Sequence, residues 1–323
     1  MREFTYAAAS TVEEALGAPG GTAFLAGGTT LVDLMKLDVL RPTSVLDINR
    51  LPLREITWGD TGVTVGALAR MSELADHPLV RREFPFVVEA LLASASQQIR
   101  NMASIGGNLL QRTRCGYFRD VASACNRRSP GSGCAAINGS NRMHAVLGTS
   151  DDCVATHPSD LAVALVASDA TVHLAGEEGS RAVPIQDFYR LPRSTPHVEN
   201  ALRPGDLITS VHLPWPPGGA RSAYVKIRDR ASYEFALASA AVRLVVVDGT
   251  IADARIAVGG VATVPWRLRT VEDALVGLPV DGDFGPAVSS AGHGARPLGH
   301  NAYKVVLLER TLLRAIDKVV GSR

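Results

Sequence analysis

The stretch Phe24-Leu25-Ala26-Gly27-Gly28-Thr29-Thr30-Leu31 decides how the first half of the chain is read. Ala23 to Ala26 is a short apolar strand, Gly27-Gly28 breaks it, and Thr29 to Met35 reads as a helix. Ser44-Val45-Leu46-Asp47-Ile48 is the next strand. Strand, glycine turn, helix and strand thus fall within about 30 residues, a small βαβ unit. Such a turn sets backbone N–H groups and two hydroxyls at a helix N-terminus, where the dipole also favours an anion. A plain tight turn reads the same way. The stretch is not a G-x-G-x-x-G fingerprint, and no Walker Gly-Lys-Ser/Thr follows. Ser104-Ile105-Gly106-Gly107-Asn108 offers the same chemistry. Two such turns flanking one domain point to a dinucleotide.

Outward from these turns, Ser10 and Glu13 stand at capping-box spacing and predict a helix start. Val63 to Ala67, Thr171 to Leu174 and Ile208 to Leu213 read as strands. Phe86 to Arg100 has helical spacing, with Val87, Leu91, Leu92 and Ile99 as candidate core residues. Leu161 to Val166 reads as a helix capped by Ser159 or Asp160. Pro214-Trp215-Pro216-Pro217-Gly218-Gly219 is the best linker, and a domain boundary is expected there. Beyond it, Ala240–Val247 and Thr250–Val258 form a hairpin over Asp248-Gly249. Ala302 to Val320 reads as an amphipathic helix with Val305, Leu308, Leu312, Ile316 and Val319 on its apolar face.

A chain of 323 residues predicts two or three domains. Hydrophobic residues make up 46%, enough for a sizeable core. With 33 basic against 32 acidic residues, nothing marks a nucleic-acid or membrane-surface binder. No apolar run is long enough for membrane insertion. Met1 to Tyr6 lacks the apolar stretch of a signal peptide, so a cytoplasmic site is the default expectation.

All four cysteines lie in one 39-residue window, spaced C-x9-C-x8-C-x18-C as Cys115, Cys125, Cys134 and Cys153. The segment around them, Gln111 to Asp152, is poor in aliphatic residues and holds six arginines. A loop of this length needs something other than an apolar core to order it. Structural zinc usually takes C-x2-4-C pairs, and none occurs. A disulfide needs an oxidising compartment. An iron–sulfur cluster accepts four thiolates without short pairs and carries a net charge of about −2 when oxidised, which Arg112, Arg114, Arg119, Arg127 and Arg128 can offset. Spacing alone leaves the three open. Elsewhere, Asp160 reads equally as a helix cap or a ligand contact, Lys226 as a strand charge, and the eight histidines show no ligand spacing.

Together these residues resemble the FAD-binding subunit of the xanthine dehydrogenase family of molybdenum hydroxylases, over essentially the whole chain. Leu25, Ala26, Gly27, Gly28, Thr29, Thr30 and Leu31 resemble the first flavin pyrophosphate loop. Ile99-Arg100-Asn101 through Ser104, Gly106, Gly107, Asn108 and Leu109 resemble the second. Thr156-His157-Pro158-Ser159-Asp160 resembles the segment whose aspartate meets the ribityl or ribose region. Lys226 matches a lysine near the isoalloxazine, and Ile208 an aliphatic residue against the ring. Most members lack the cysteine insertion; Asn108 to Cys115, Cys125-Asn126-Arg127-Arg128, Pro130 to Ala136 and Cys153 resemble the aldehyde oxidoreductase branch that has it.

The resemblance implies an α+β chain: a two-part FAD-binding domain of the PCMH type over 1–213, with a cysteine-rich insertion at about 111–155, then a smaller α+β C-terminal domain over 220–323. It implies FAD and a [4Fe–4S] cluster on the four cysteines. The expected assembly has three subunits. A large molybdenum-cofactor subunit oxidises an aldehyde or a purine-like substrate, a small [2Fe–2S] subunit carries the electrons, and this oxidoreductase subunit passes them from FAD to an external acceptor. No acid–base residue is expected here. Rival expectations are a stand-alone flavin oxidase and a zinc-bearing structural subunit. Relatives exported folded with a signal-bearing partner would make the site periplasmic instead.

Overall fold

The computed structural model describes residues 1–321. Three sheets carry the chain. The first is parallel, with β1 (Thr5–Ala8), β2 (Ala23–Leu25) and β3 (Ser44–Asp47) in the order β1-β3-β2. The second is antiparallel, with β4 (Ile56–Gly59), β5 (Gly62–Gly66), β6 (Thr171–Gly176), β7 (Gly179–Pro184) and β8 (Leu207–Pro214) in the order β4-β5-β8-β6-β7. The third is β9 (Ala220–Ile227), β10 (Ala238–Val247), β11 (Thr250–Gly259) and β12 (Trp266–Arg267), antiparallel in the order β12-β11-β10-β9. Asp248 and Gly249 turn the β10–β11 hairpin with φ of 50° and 75°, the left-handed pair that a two-residue hairpin demands.

The βαβ unit forms as expected, with its helix at Leu31–Lys36. The first helix starts one residue later than the Ser10/Glu13 reading. Thr11 is the cap, its hydroxyl accepting from Glu14 N at 3.2 Å, and Glu14 returns a bond from Ser10 N at 2.6 Å. That register turns Ala15 inward, 1% exposed.

The single helix expected from Phe86 to Arg100 is two, Pro85–Ala93 and Gln97–Met102. Ser94-Ala95-Ser96 breaks it. The Ser94 hydroxyl donates to Leu91 O, Ala95 takes φ +50°, and Ser96 caps the second helix through Ile99 N. Serine hydroxyls compete with the helix for backbone groups, and hydrophobic spacing does not register that. Val87 and Leu91 are in the core, while Leu92 is 47% exposed.

Helix Asp160–Ala167 is buried at every residue and packs against β10, β11 and helix Pro85–Ala93. An all-round apolar helix of this kind belongs inside. Tyr303–Gly321 lies on β9 and β10 with Leu308, Leu312, Ala315, Ile316 and Val319 buried. Val305 is only partly buried there, and Lys304 takes the fully buried place beside it. Between β8 and β9 the expected linker is a five-residue turn held by Trp215, whose indole donates to Gly59 O at 2.9 Å and stacks on Phe84.

The insertion carries one short helix, Gly116–Arg119, and is otherwise irregular. Its end runs into the C-terminal half. Val146 and Leu147 N–H groups both reach Val261 O, at 2.8 and 3.0 Å, and both side chains join the core of the third sheet. Among the described residues no helix is long and apolar enough to cross a membrane.

Candidate functional site

The two glycine turns are in contact. A Cβ on Gly27 would lie 2.0 Å from Met102 O, at the entrance to the second turn. Arg70 fastens the pair, donating to Met102 O at 2.6 Å and to Asn49 Oδ1 at 2.8 Å, while Asn49 donates to Ala26 O at 2.9 Å. Gly28 has φ +72°, a conformation that glycine adopts without strain. Gly27→Ala is therefore expected to drive the turns apart, costing about 1–3 kcal/mol as an overpacked contact does. Thermal melting and flavin absorbance per chain check this. A variant that melts and absorbs like the parent would show that the close approach is dispensable.

Thr30 caps helix Leu31–Lys36 without a side-chain hydrogen bond; Val32 N already donates to Gly28 O at 3.0 Å, which leaves the Leu31 and Asp33 N–H groups for an acceptor. The second turn differs. Ser104 Oγ takes up Gly107 N at 3.1 Å, so that donor is capped from within. Thr29, Thr30, Gly107 and Asn108 line one cavity of about 440 Å³. Leu25, Ala26, Gly27, Gly28 and Leu31 shape the turn behind it, and Ser104 and Gly106 shape the second, where a Cβ on Gly106 would meet Ala67 at 3.0 Å.

Asp160 and Lys226 also line this cavity. Ser159, not Asp160, caps the buried helix, accepting from Ala162 N at 3.0 Å. The Asp160 carboxylate is thereby free to accept from Tyr224 Oη at 2.6 Å and Lys226 Nζ at 2.8 Å. Lys226 further donates to Ala93 O, exposed by the helix break. Ser159 Oγ donates to Asn108 Oδ1 at 2.6 Å, tying this cluster to the second glycine turn. Burial, then the Asp160 carboxylate, pushes the Tyr224 phenol well above its ordinary value, so it stays a donor. Tyr224 was missed in the sequence. The signal was its i, i+2 spacing from Lys226, which puts both on one face of β9. Ile208, expected against a ring, is 4% exposed in the core of β8 and lines neither cavity of the cleft, because its side of the strand faces the apolar interior.

From the insertion, Arg119 and Arg114 reach Asp33 at 2.7 and 3.0 Å. The Arg119 hydrogen bond, outweighing burial, holds the Asp33 carboxyl below its usual range. Arg114 also lies over the Phe235 ring at 5.2 Å. Arg114, Pro158, Asp160, Glu234 and Phe235 are common to this cavity and a second of about 520 Å³, so the two form one cleft. Each falls in the range of small-molecule sites, about 300–1,000 Å³.

Cys115, Cys125, Cys134 and Cys153 line one small void in the insertion. Cys125 and Cys134 face each other in an isolated bridge, and His144 Nε2 lies 3.1 Å from Cys115 Sγ. Burial above all, with Cys125 and Cys153 adding to it, pushes the Cys115 thiol up to about 11. Cys115 also lines the cleft. Among the described residues, no three His, Cys, Asp or Glu side chains are placed to hold one metal ion.

Residues 2–216 match the FAD binding domain in molybdopterin dehydrogenase, and residues 222–319 match the CO dehydrogenase flavoprotein C-terminal domain. The aldehyde oxidoreductase FAD-binding subunit PaoB of Escherichia coli (strain K12) is 47% identical over 317 residues, 97% of this chain and 96% of that one. The glyceraldehyde dehydrogenase medium chain of Sulfolobus acidocaldarius is 30% identical, over 89% of this chain and 86% of that one. A chain of reconstituted CO dehydrogenase from Oligotropha carboxidovorans superposes with a TM-score of 0.79 at 25% identity, covering 100% of this chain and 99% of that one. The chain belongs to the FAD-binding subunits of the molybdopterin dehydrogenase family, enzymes of oxidation and reduction.

Proposed function

We propose that this chain is the FAD subunit of a three-subunit molybdenum hydroxylase that oxidises aldehydes, and that Cys115, Cys125, Cys134 and Cys153 hold a [4Fe–4S] cluster. Its partners are then a large molybdenum-cofactor subunit and a small [2Fe–2S] subunit, with an external electron acceptor. The names of the Escherichia coli and Sulfolobus acidocaldarius relatives support the aldehyde class. The observation that carries the reading is the cleft itself, where both glycine turns, Asp160 and Lys226 meet beside a void lined by four thiols.

Bound in the cleft, FAD supplies electron transfer, accepting electrons singly and releasing them in pairs. The chain's own residues bind and orient. The free N–H groups of the first turn, the Thr29 and Thr30 hydroxyls and the Arg114 and Arg119 guanidiniums favour the pyrophosphate. Asn108 and Asp160 offer acceptors to hydroxyls farther along. Lys226, fixed by Asp160 and Ala93 O, holds a positive charge toward the ring end. No side chain here needs to donate or remove a proton.

For the cysteines, four thiolates gathered round one void, two of them buried and two half-buried, repel one another unless positive charge enters among them. A cluster supplies that charge and spaces its four thiolates apart. One buried polar atom, Arg127 Nε, has no partner and belongs to a residue in the wall of the void.

The test is an optical spectrum with cofactor analysis of the anaerobically purified chain. One FAD with about four iron and four sulfide per chain is expected. A colourless protein overturns the flavin reading, and zinc without iron overturns the cluster. Cys125→Ser is expected to lose the cluster absorbance and keep most of the flavin. Full iron in that variant removes Cys125 from the ligand set.

A further inference from the structure

Of the six arginines in the insertion, Arg127 is the one that lines the cysteine void. Arg112 pairs with Glu199, Arg114 and Arg119 with Asp33, and Arg142 with Asp229 at 2.7 Å. Arg128 donates to the carbonyls of Tyr117, Phe118 and Ser123. Arg127 differs. Its side chain is 8% exposed and stands in the wall of the void with Cys153. One terminal nitrogen donates to Glu199 Oε2 at 2.8 Å, and Nε has no partner. Glu199 also serves Arg112, so one carboxylate answers two guanidiniums. Arg112 and Arg127 together carry one positive charge more than Glu199 offsets, and the other charged side chain in the wall, Asp152, accepts from Asn126 Nδ2 at 3.1 Å.

We infer that Arg127 sets the reduction potential of the cluster by holding one buried positive charge beside Cys153. The inference rests on the cluster assignment above. Reduction adds one electron and moves no atom, taking four thiolates and their iron–sulfide core from a net charge of about −2 to about −3. A positive charge in a buried, weakly screened position favours the more negative state. Arg127 thus raises the potential. Were Arg127 only a fastener between the insertion and Glu199, its loss would change stability and leave the potential alone.

The experiment is a dithionite titration of the full-length chain, with the reduced cluster followed by electron paramagnetic resonance. Arg127→Gln is expected to disfavour the reduced form at least tenfold, 59 mV for a one-electron couple. Arg127→Lys is expected to recover part of that shift. Arg142→Gln, which removes the same charge from an exposed side chain of the insertion, is expected to shift it less than tenfold. An Arg127→Gln protein that keeps its cluster and titrates within tenfold of the parent overturns the inference. If that variant cannot hold a cluster, Glu199→Gln decides. Freeing the guanidinium from its carboxylate must raise the midpoint, and an unchanged or lower one overturns the inference. A parent chain without iron and sulfide overturns the cluster assignment and this inference together. A parent chain with the cluster, whose potential ignores both changes, overturns this inference alone.

Discussion

Asp160→Ala is expected to cost about 3–5 kcal/mol of folding stability, the usual penalty for removing one partner of a buried ion pair. The Lys226 and Asp160 side chains are 3% and 5% exposed, so either charge left alone has little water to turn to. Without the carboxylate, Lys226 keeps only Ala93 O, and the Tyr224 hydroxyl loses its acceptor. Asp160→Asn keeps the shape and a bond for Tyr224, and its loss should be smaller. Asp160→Ala with Lys226→Met should be more stable than Asp160→Ala alone, because the stranded ammonium is gone. Urea unfolding of the three variants measures this. A loss below about 1 kcal/mol for Asp160→Ala would show that water or rearrangement rescues Lys226, contrary to the burial argument.

Lys304→Met carries the second large effect, and it depends on pH. Lys304 is fully buried with no carboxylate in hydrogen-bond contact; its ammonium donates to Gly260 O at 2.6 Å and Met143 O at 3.0 Å. Burial, with help from the Arg142 charge and against Asp229, brings its pKa down to about 7. In the unfolded chain it is about 10.4. Between these values the unfolded state binds the extra proton, so folding stability from this group rises with pH. It is fully present above the unfolded value, is lost as pH falls toward 7, and changes little below that. The parent is expected to gain on Lys304→Met by about 1 kcal/mol per pH unit between pH 7.5 and 10. Other titrating groups are common to both proteins and cancel in the difference. A flat difference over that window would mean that Lys304 keeps its charge in the fold. The methionine also strands the Gly260 carbonyl, which costs about 1–3 kcal/mol at any pH, while Met143 O keeps the Thr156 hydroxyl.

Local chemistry was what the sequence made readable. The glycine turns, the Asp248-Gly249 hairpin and the apolar face of Tyr303–Gly321 all announce themselves over a few residues, and the structure has them. β1 was not visible, because Thr5–Ala8 is exposed at all four positions and carries no alternation. The break at Ser94-Ala95-Ser96 was hidden because hydrophobic spacing runs on across it while the serine hydroxyls stop the helix. In the cleft, Thr29, Thr30, Gly107, Asn108, Asp160 and Lys226 do line one cavity; the likeness of the two glycine turns had linked the first four, and only the resemblance to a family had added Asp160 and Lys226. Ile208 lines neither cavity, and with Leu207 beside it and both buried the strand's sequence does not declare which of the two faces the cleft. Which arginine faces the thiols depended on where Asp33, Glu199 and Asp229 sit, all far away along the chain.

The stitching of Val146 and Leu147 to Val261 has a bearing on how such chains are recombined. Tyr303 and Lys304 grip Arg142 and Met143 of the same segment, and Asn301 grips His144 and Ala145. The cysteine-bearing loop and the tail of the protein are therefore one structural module, although β6, β7 and β8 lie between them along the chain. A chimera spliced at the proline-rich turn inherits half of that module from each parent, and the seam it must repair runs through an apolar interior.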